Sequence, residues 1–177
     1  MTMSPGLRKA ALAAHLTVSV GWIGTVVAYL ALGVAATTSR DVQTVRGAWI
    51  AMELTGWFVI LPLAIASLIS GLVMALGTRW GLFRHYWVLF SFVLTLIAAV
   101  VLALHMPTVS SMADIARGAE GATLFDLGGD LLHPGIGLLV LVVVQVLNVY
   151  KPRGLTQYGR RRQTTRRAES VEMQRTG

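Results

Sequence analysis

The sequence predicts an all-α integral membrane protein, a four-helix bundle with both termini in the cytoplasm. Three observations predict it. Hydrophobic residues make up 55% of the 177 and charged residues only 13%, about half the charge with which a soluble domain covers its surface. Four apolar stretches, at about residues 10–36, 48–76, 86–105 and 131–150, are long enough to cross a hydrocarbon core of about 30 Å at about 1.5 Å per residue. The basic residues, finally, divide unevenly between the connections. In hydrocarbon, backbone groups must pair within their own segment, which selects helices, and the short alternating segments of a β-barrel are missing.

The first stretch follows Arg8 and Lys9, as a signal peptide would. It is too long for a signal h-region and ends in Ala35-Ala36-Thr37-Thr38, a poor cleavage site, so a retained helix is expected. Gly24 and Ala28 form a small-xxx-small face that lets a neighbouring helix approach closely. His15, Ser19, Trp22 and Tyr29 share one face, which reads as a packing seam or as the lining of a cofactor pocket or proton path. In the second stretch Pro62 has no N–H for the carbonyl of Phe58 and predicts a kink. Ser67 and Gly71 make a second small-residue face. The aromatic and basic turn at 77–87 reads as an interfacial anchor, with Arg79 and Arg84 at headgroup level beside His85.

The third helix is expected to stop at His105, before Pro107. Residues 106–130 would then form the one long loop, with a short surface helix at 111–119 and a break at Gly128-Gly129. Asp130 is placed to N-cap the fourth helix, with Pro134 tolerated in its first turn, and Lys151-Pro152 ends that helix. The helical domain is thus residues 1–155. Residues 156–177 form a basic tail, expected to be disordered beyond about Arg160.

With four crossings, twelve of the 15 basic residues fall on the side of the termini, whereas Arg40, Arg46 and Arg117 fall on the other. That other side carries Asp41, Glu53, Asp114, Glu120, Asp126 and Asp130. The positive-inside rule therefore puts both termini in the cytoplasm of a cell inner (plasma) membrane. Arg160, Arg161 and Arg162 invite a nucleic-acid reading, but no aromatic residues interleave with them. Contact with anionic lipid headgroups, shared with Arg79 and Arg84, is the favoured reading.

Cysteine is absent, which excludes disulfides, thiolate ligands and a cysteine nucleophile together. No serine has a neighbouring base and no glycine-rich phosphate loop occurs, so no enzymatic activity is expected. His105 and His133 fall at the outer end of their helices, and Glu53 enters the second helix from the same side. Glu53, His105 and His133 would make a two-histidine, one-carboxylate set suited to a divalent metal, with Met106 and Met112 nearby to suit copper(I). Alternatively, His105 and His133 ligate one haem b. The plainer alternative is histidines among headgroups and Glu53 paired with Arg46 or a histidine. His15 lies towards the opposite face.

Two stretches, 15–24 (HLTVSVGWIG) and 70–87 (SGLVMALGTRWGLFRHYW), resemble a family of predicted bacterial integral membrane proteins of unknown function, over about residues 10–150. More distantly, His15 with Trp22 and Gly24, followed by a helix end centred on Gly71, is similar to the copper-resistance D domain, although the chain has half the helices of a full copper-resistance D protein. That similarity implies a copper-related role for His15. The function expected is that of an accessory or scaffold-like membrane protein, homo-oligomeric or docked on a membrane partner. Its alternative is a haem- or copper-binding redox or metal-handling protein.

Overall fold

A hydrophobic chain in a bilayer gains little from burying one apolar face against another, so its helices are positioned by close packing and by a few polar contacts. The computed structural model describes residues 3–78, 81–152, 154–161 and 172–175. Its helices are α1 (Pro5–Thr38), α2 (Val42–Thr55), α3 (Leu61–Gly77), α4 (Tyr86–Gly118), α5 (Ala122–Asp126) and α6 (Leu132–Tyr150), with a π-helical turn at Gly56–Ile60 joining α2 to α3. Four spans are long and apolar enough to cross a membrane: α1, α2 through α3, α4, and α6. Consecutive spans pack on one another and α6 returns to α1, which closes an all-α four-helix bundle. Residues 157–161 and 172–175 are helical. The disorder expected for the rest of the tail, and the expected headgroup contacts of Arg79 and Arg162, lie outside the described residues.

Helix ends follow local chemistry. The side chain of Ser4 accepts the N–H of Leu7 ahead of Pro5, and Asp41 accepts the N–H and hydroxyl of Thr44 at the start of α2. Those bonds from Thr44 hold the Asp41 carboxyl below its usual range. The kink expected at Pro62 takes the form of a wider turn just ahead of it. The Leu61 N–H reaches back five residues to Gly56, the kind of local π-bulge found where a helix must absorb a missing bond. Gly56 gives the thioether of Met106 its place, since a Cβ there would lie 2.5 Å from Cε of Met106 and 2.6 Å from its Sδ and would require that side chain to move.

The third span departs from expectation. Pro107 does not end it: α4 runs unbroken to Gly118, absorbing the surface helix expected at 111–119 and shortening the loop to a connection that carries α5. An interior proline costs about 3 kcal/mol. Against it stand Met106, Val109, Ala113 and Ala116, each no more than 1% exposed, and full burial of one Val or Met side chain is worth about 1.5–3 kcal/mol in contact with water. That value applies to the part of α4 that extends past the hydrocarbon core. The 33 residues of α4 span about 50 Å at about 1.5 Å each, well beyond a core of about 30 Å. Val45, Trp49 and Met52 of α2 and Leu124 of α5 join those side chains in one core.

Arg46 fastens the end of α4, donating from Nε to the carbonyl of Ala116 at 3.0 Å and from Nη2 to that of Ala119 at 2.8 Å. Carbonyls of a last turn have no helical donors, and charge-assisted bonds to them are worth about 1.5–3 kcal/mol each. Arg46→Ala is therefore expected to lower thermal stability clearly more than replacement of the exposed Arg40. Paired melts of the two alanine variants check this.

At the far end of the bundle the chain closes differently. The N–H of Met3 donates to Gly77, Tyr86 donates to Gly154, and Thr156 donates to Arg84, around an isolated antiparallel bridge between His85 and Leu155. The aromatic and basic turn thus carries the start of the tail. Arg160 and Arg161 are exposed beyond it.

Candidate metal centre

The polar residues gather where α1, α4 and the start of α6 meet, and a glycine pair brings them together. Gly128 adopts a positive φ of 58°, and its carbonyl accepts Nε1–H of Trp49 at 3.1 Å. Gly129 and Asp130 then run backbone to backbone against α1. A Cβ on Gly129 would strike the Gly33 carbonyl and the Thr37 hydroxyl, and one on Gly33 would lie 2.7 Å from the Asp130 carbonyl. This approach carries Asp130 into the bundle. It is not the N-cap of α6, whose cap position is Leu131 with no side-chain bond. Its side chain is only 9% exposed, and it accepts on Oδ2 from the Tyr29 hydroxyl at 3.0 Å and pairs there with His105 Nε2 at 2.8 Å.

His133, one turn on from Asp130, places Nδ1 3.6 Å from Oδ1, and its ring stacks on that of His105 with centroids 3.7 Å apart and planes 21° apart. One ligand atom from each of His105, Asp130 and His133 lies within 4.8 Å of the others. Two imidazole nitrogens and a carboxylate oxygen form a donor set that borderline divalent ions such as zinc and copper accept. Tyr29 stands outside the three donors and orients the carboxylate, as hydrogen-bond partners of metal ligands do. Haem does not fit. Axial histidines point their nitrogens at iron from opposite sides of a flat macrocycle, whereas these rings stack directly on one another, with one carboxylate against their edge nitrogens.

The expected trio is thus brought together in two of its three members. Glu53 is replaced by Asp130 and pairs instead with Arg117, which also holds Asp114. Its partner is not Arg46, which is spent on carbonyls. Arg117 reaches Glu53 because α4 continues past Pro107. Met106 packs its thioether on Gly56, and Met112 packs against the core. His15 belongs to another place: its Nδ1 lies 2.9 Å from the Ser70 hydroxyl, its ring covers Gly71, and Ser19 pairs with Ser67 at 2.9 Å. The face of α1 that carries His15 and Ser19 is therefore a polar packing seam against α3. Further along it, Trp22 and Tyr29 are both buried at 3% exposure.

Those two aromatic residues line a cavity of about 220 Å³ that runs from the His–Asp–His cluster towards the middle of the bundle, between α1, α4 and α6. Its walls are Val26, Ile60, Leu94, Ala98, Leu102 and neighbouring apolar side chains, and its polar groups lie at one end. The fold and site together define a membrane protein with a clustered histidine–carboxylate centre between its helices. No protein family, curated protein or solved structure matches the chain.

Proposed function

We propose that the protein is a metal-handling membrane protein that binds one divalent transition ion, zinc or copper, through His105, Asp130 and His133. The observation that carries this reading is the convergence of three donor atoms from distant parts of the chain within 4.8 Å, with a tyrosine holding the carboxylate. Histidines and carboxylates between membrane helices are expensive and usually functional. The charge split supports an orientation with this end of the bundle outside the plasma membrane and both termini in the cytoplasm, in which the ion would come from the outer compartment. Titration of detergent-purified, chelator-stripped protein with zinc and with copper tests the reading. One ion per chain is expected, with at least a hundredfold loss of affinity in His105→Ala and His133→Ala. Equal binding by wild type and both variants would contradict it.

A second reading is favoured by one face of α1. Gly24 and Ala28 are exposed and a Cβ on Gly24 meets nothing within 4 Å, whereas the Ser67–Gly71 face is filled by His15 and Ser19. The free small-residue face suits an accessory role through self-association or a membrane partner. A mass measurement in mild detergent is expected to show a dimer that Gly24→Leu dissociates, and a monomeric wild type would remove this reading.

A further inference from the structure

The cavity beside the cluster has a shape and a polarity that the metal reading does not use. Its exposed apolar lining residues, Ile97, Val101 and Ile136 at 54%, 48% and 55% exposure, lie on α4 and α6, so its mouth opens sideways between those helices on the face a bilayer would cover, while His133 is half exposed at its polar end. An occupant therefore arrives from lipid. A cavity of about 150 Å³ takes a benzene ring, and one of about 220 Å³ takes a ring with substituents. The polar end offers an open carboxylate oxygen beside the two imidazoles. Oδ2 of Asp130 already receives Tyr29 and His105. Oδ1 has only His133 Nδ1, at 3.6 Å, beyond hydrogen-bond length, and accepts no hydrogen bond among the described residues. The site thus offers an unfilled carboxylate acceptor at the end of an apolar slot, and such a group is matched by a hydroxyl donor.

We propose that this cavity binds a lipid-soluble phenol, the chemical class that includes the quinols, with its ring between Trp22, Ala98 and Gly137 and its hydroxyl donating to Asp130 Oδ1. The ring is recognised by apolar walls and the hydroxyl by one acceptor. Binding requires no metal, so it stands or falls apart from the metal reading. The alkyl tail of the ligand leaves through the opening between α4 and α6 and stays in the bilayer.

The test uses the full chain in nanodiscs, stripped of metal with chelator, and two probes, 4-decylphenol and its methyl ether 4-decylanisole, followed by calorimetry. Saturable one-to-one binding of the phenol is expected, at least tenfold tighter than that of the ether, which has no proton to donate. Gly137→Leu and Ala98→Leu place side chains in the cavity. Gly137 has room for one, since a Cβ there meets nothing within 4 Å. Each is expected to weaken phenol binding at least tenfold while keeping the thermal melt and the metal titration of the wild type. Non-saturable partitioning, equal affinity for phenol and ether, or unchanged binding in both filled variants would overturn the proposal.

Discussion

Replacing Asp130 with alanine is expected to give the largest loss of any single substitution at the site. The carboxylate is at once a proposed ligand, the acceptor for Tyr29 and the bridge to both histidines. Its removal leaves the Tyr29 hydroxyl and the His105 nitrogen without their partner. A buried polar group left unpaired costs about 1–3 kcal/mol, at the lower end of that range where a bilayer surrounds the bundle and the unfolded helices also find partners. Metal affinity should fall by more than a hundredfold, because losing even a partner of a ligand typically costs about 10–100-fold. Asp130→Asn separates the two effects. The amide still accepts from Tyr29, so stability should recover most of its loss while metal binding does not. Thermal melts and metal titrations of the two variants check this directly.

The second large effect is expected at a residue that touches no ligand. Gly129 lies so close to Gly33 and Thr37 of α1 that any side chain must push backbone away from backbone. Flexible side chains cannot give way there. Overpacking a closely packed site costs about 1–3 kcal/mol, and the shift would be transmitted to the adjacent Asp130. Gly129→Val is therefore expected to lower both thermal stability and metal affinity with all three proposed ligands intact. Gly118→Val is the control, since a Cβ at Gly118 meets nothing within 4 Å. Equal metal titrations for the two valine variants would show that the glycine pair does not position the carboxylate.

The four spans were legible because a bilayer allows few alternatives: long apolar runs must be helical, and no other pattern in the chain competes. Helix ends were less legible where water returns. Pro107 reads locally as a terminator, and only the tertiary burial of Met106, Val109, Ala113 and Ala116, together with Arg46 on the final carbonyls, carries α4 beyond it. One error then produced another. With α4 expected to stop at His105, Arg117 falls in a separate surface helix of the loop, and Glu53 is left to join the histidines or to pair with Arg46. With α4 extended, Arg117 faces Glu53 and takes it.

Asp130 was misread for a related reason. An aspartate just ahead of an apolar run is the usual sign of an N-cap, and pairing with residues 25 and 101 positions away leaves no local trace. A signal was nevertheless present. Asp130 and His133 are three apart, on one side of a helix start, and the preceding Gly128-Gly129 is the kind of sequence that lets a loop enter a bundle closely. His15 reads from the sequence as part of a packing seam or of a face lining a cofactor pocket or proton path, and its partner Ser70 is on another helix, so nothing in the order of residues links the two.

The central claim is that His105, Asp130 and His133 act together as one metal site. X-ray absorption at the metal edge of protein loaded with one equivalent of zinc tests it most directly. The account predicts scattering from two imidazole rings and from light oxygen or nitrogen neighbours at about 2.0–2.2 Å, with one ring lost in His105→Ala and one in His133→Ala. A wild-type spectrum without imidazole scattering, or one that both variants leave unchanged, would contradict it.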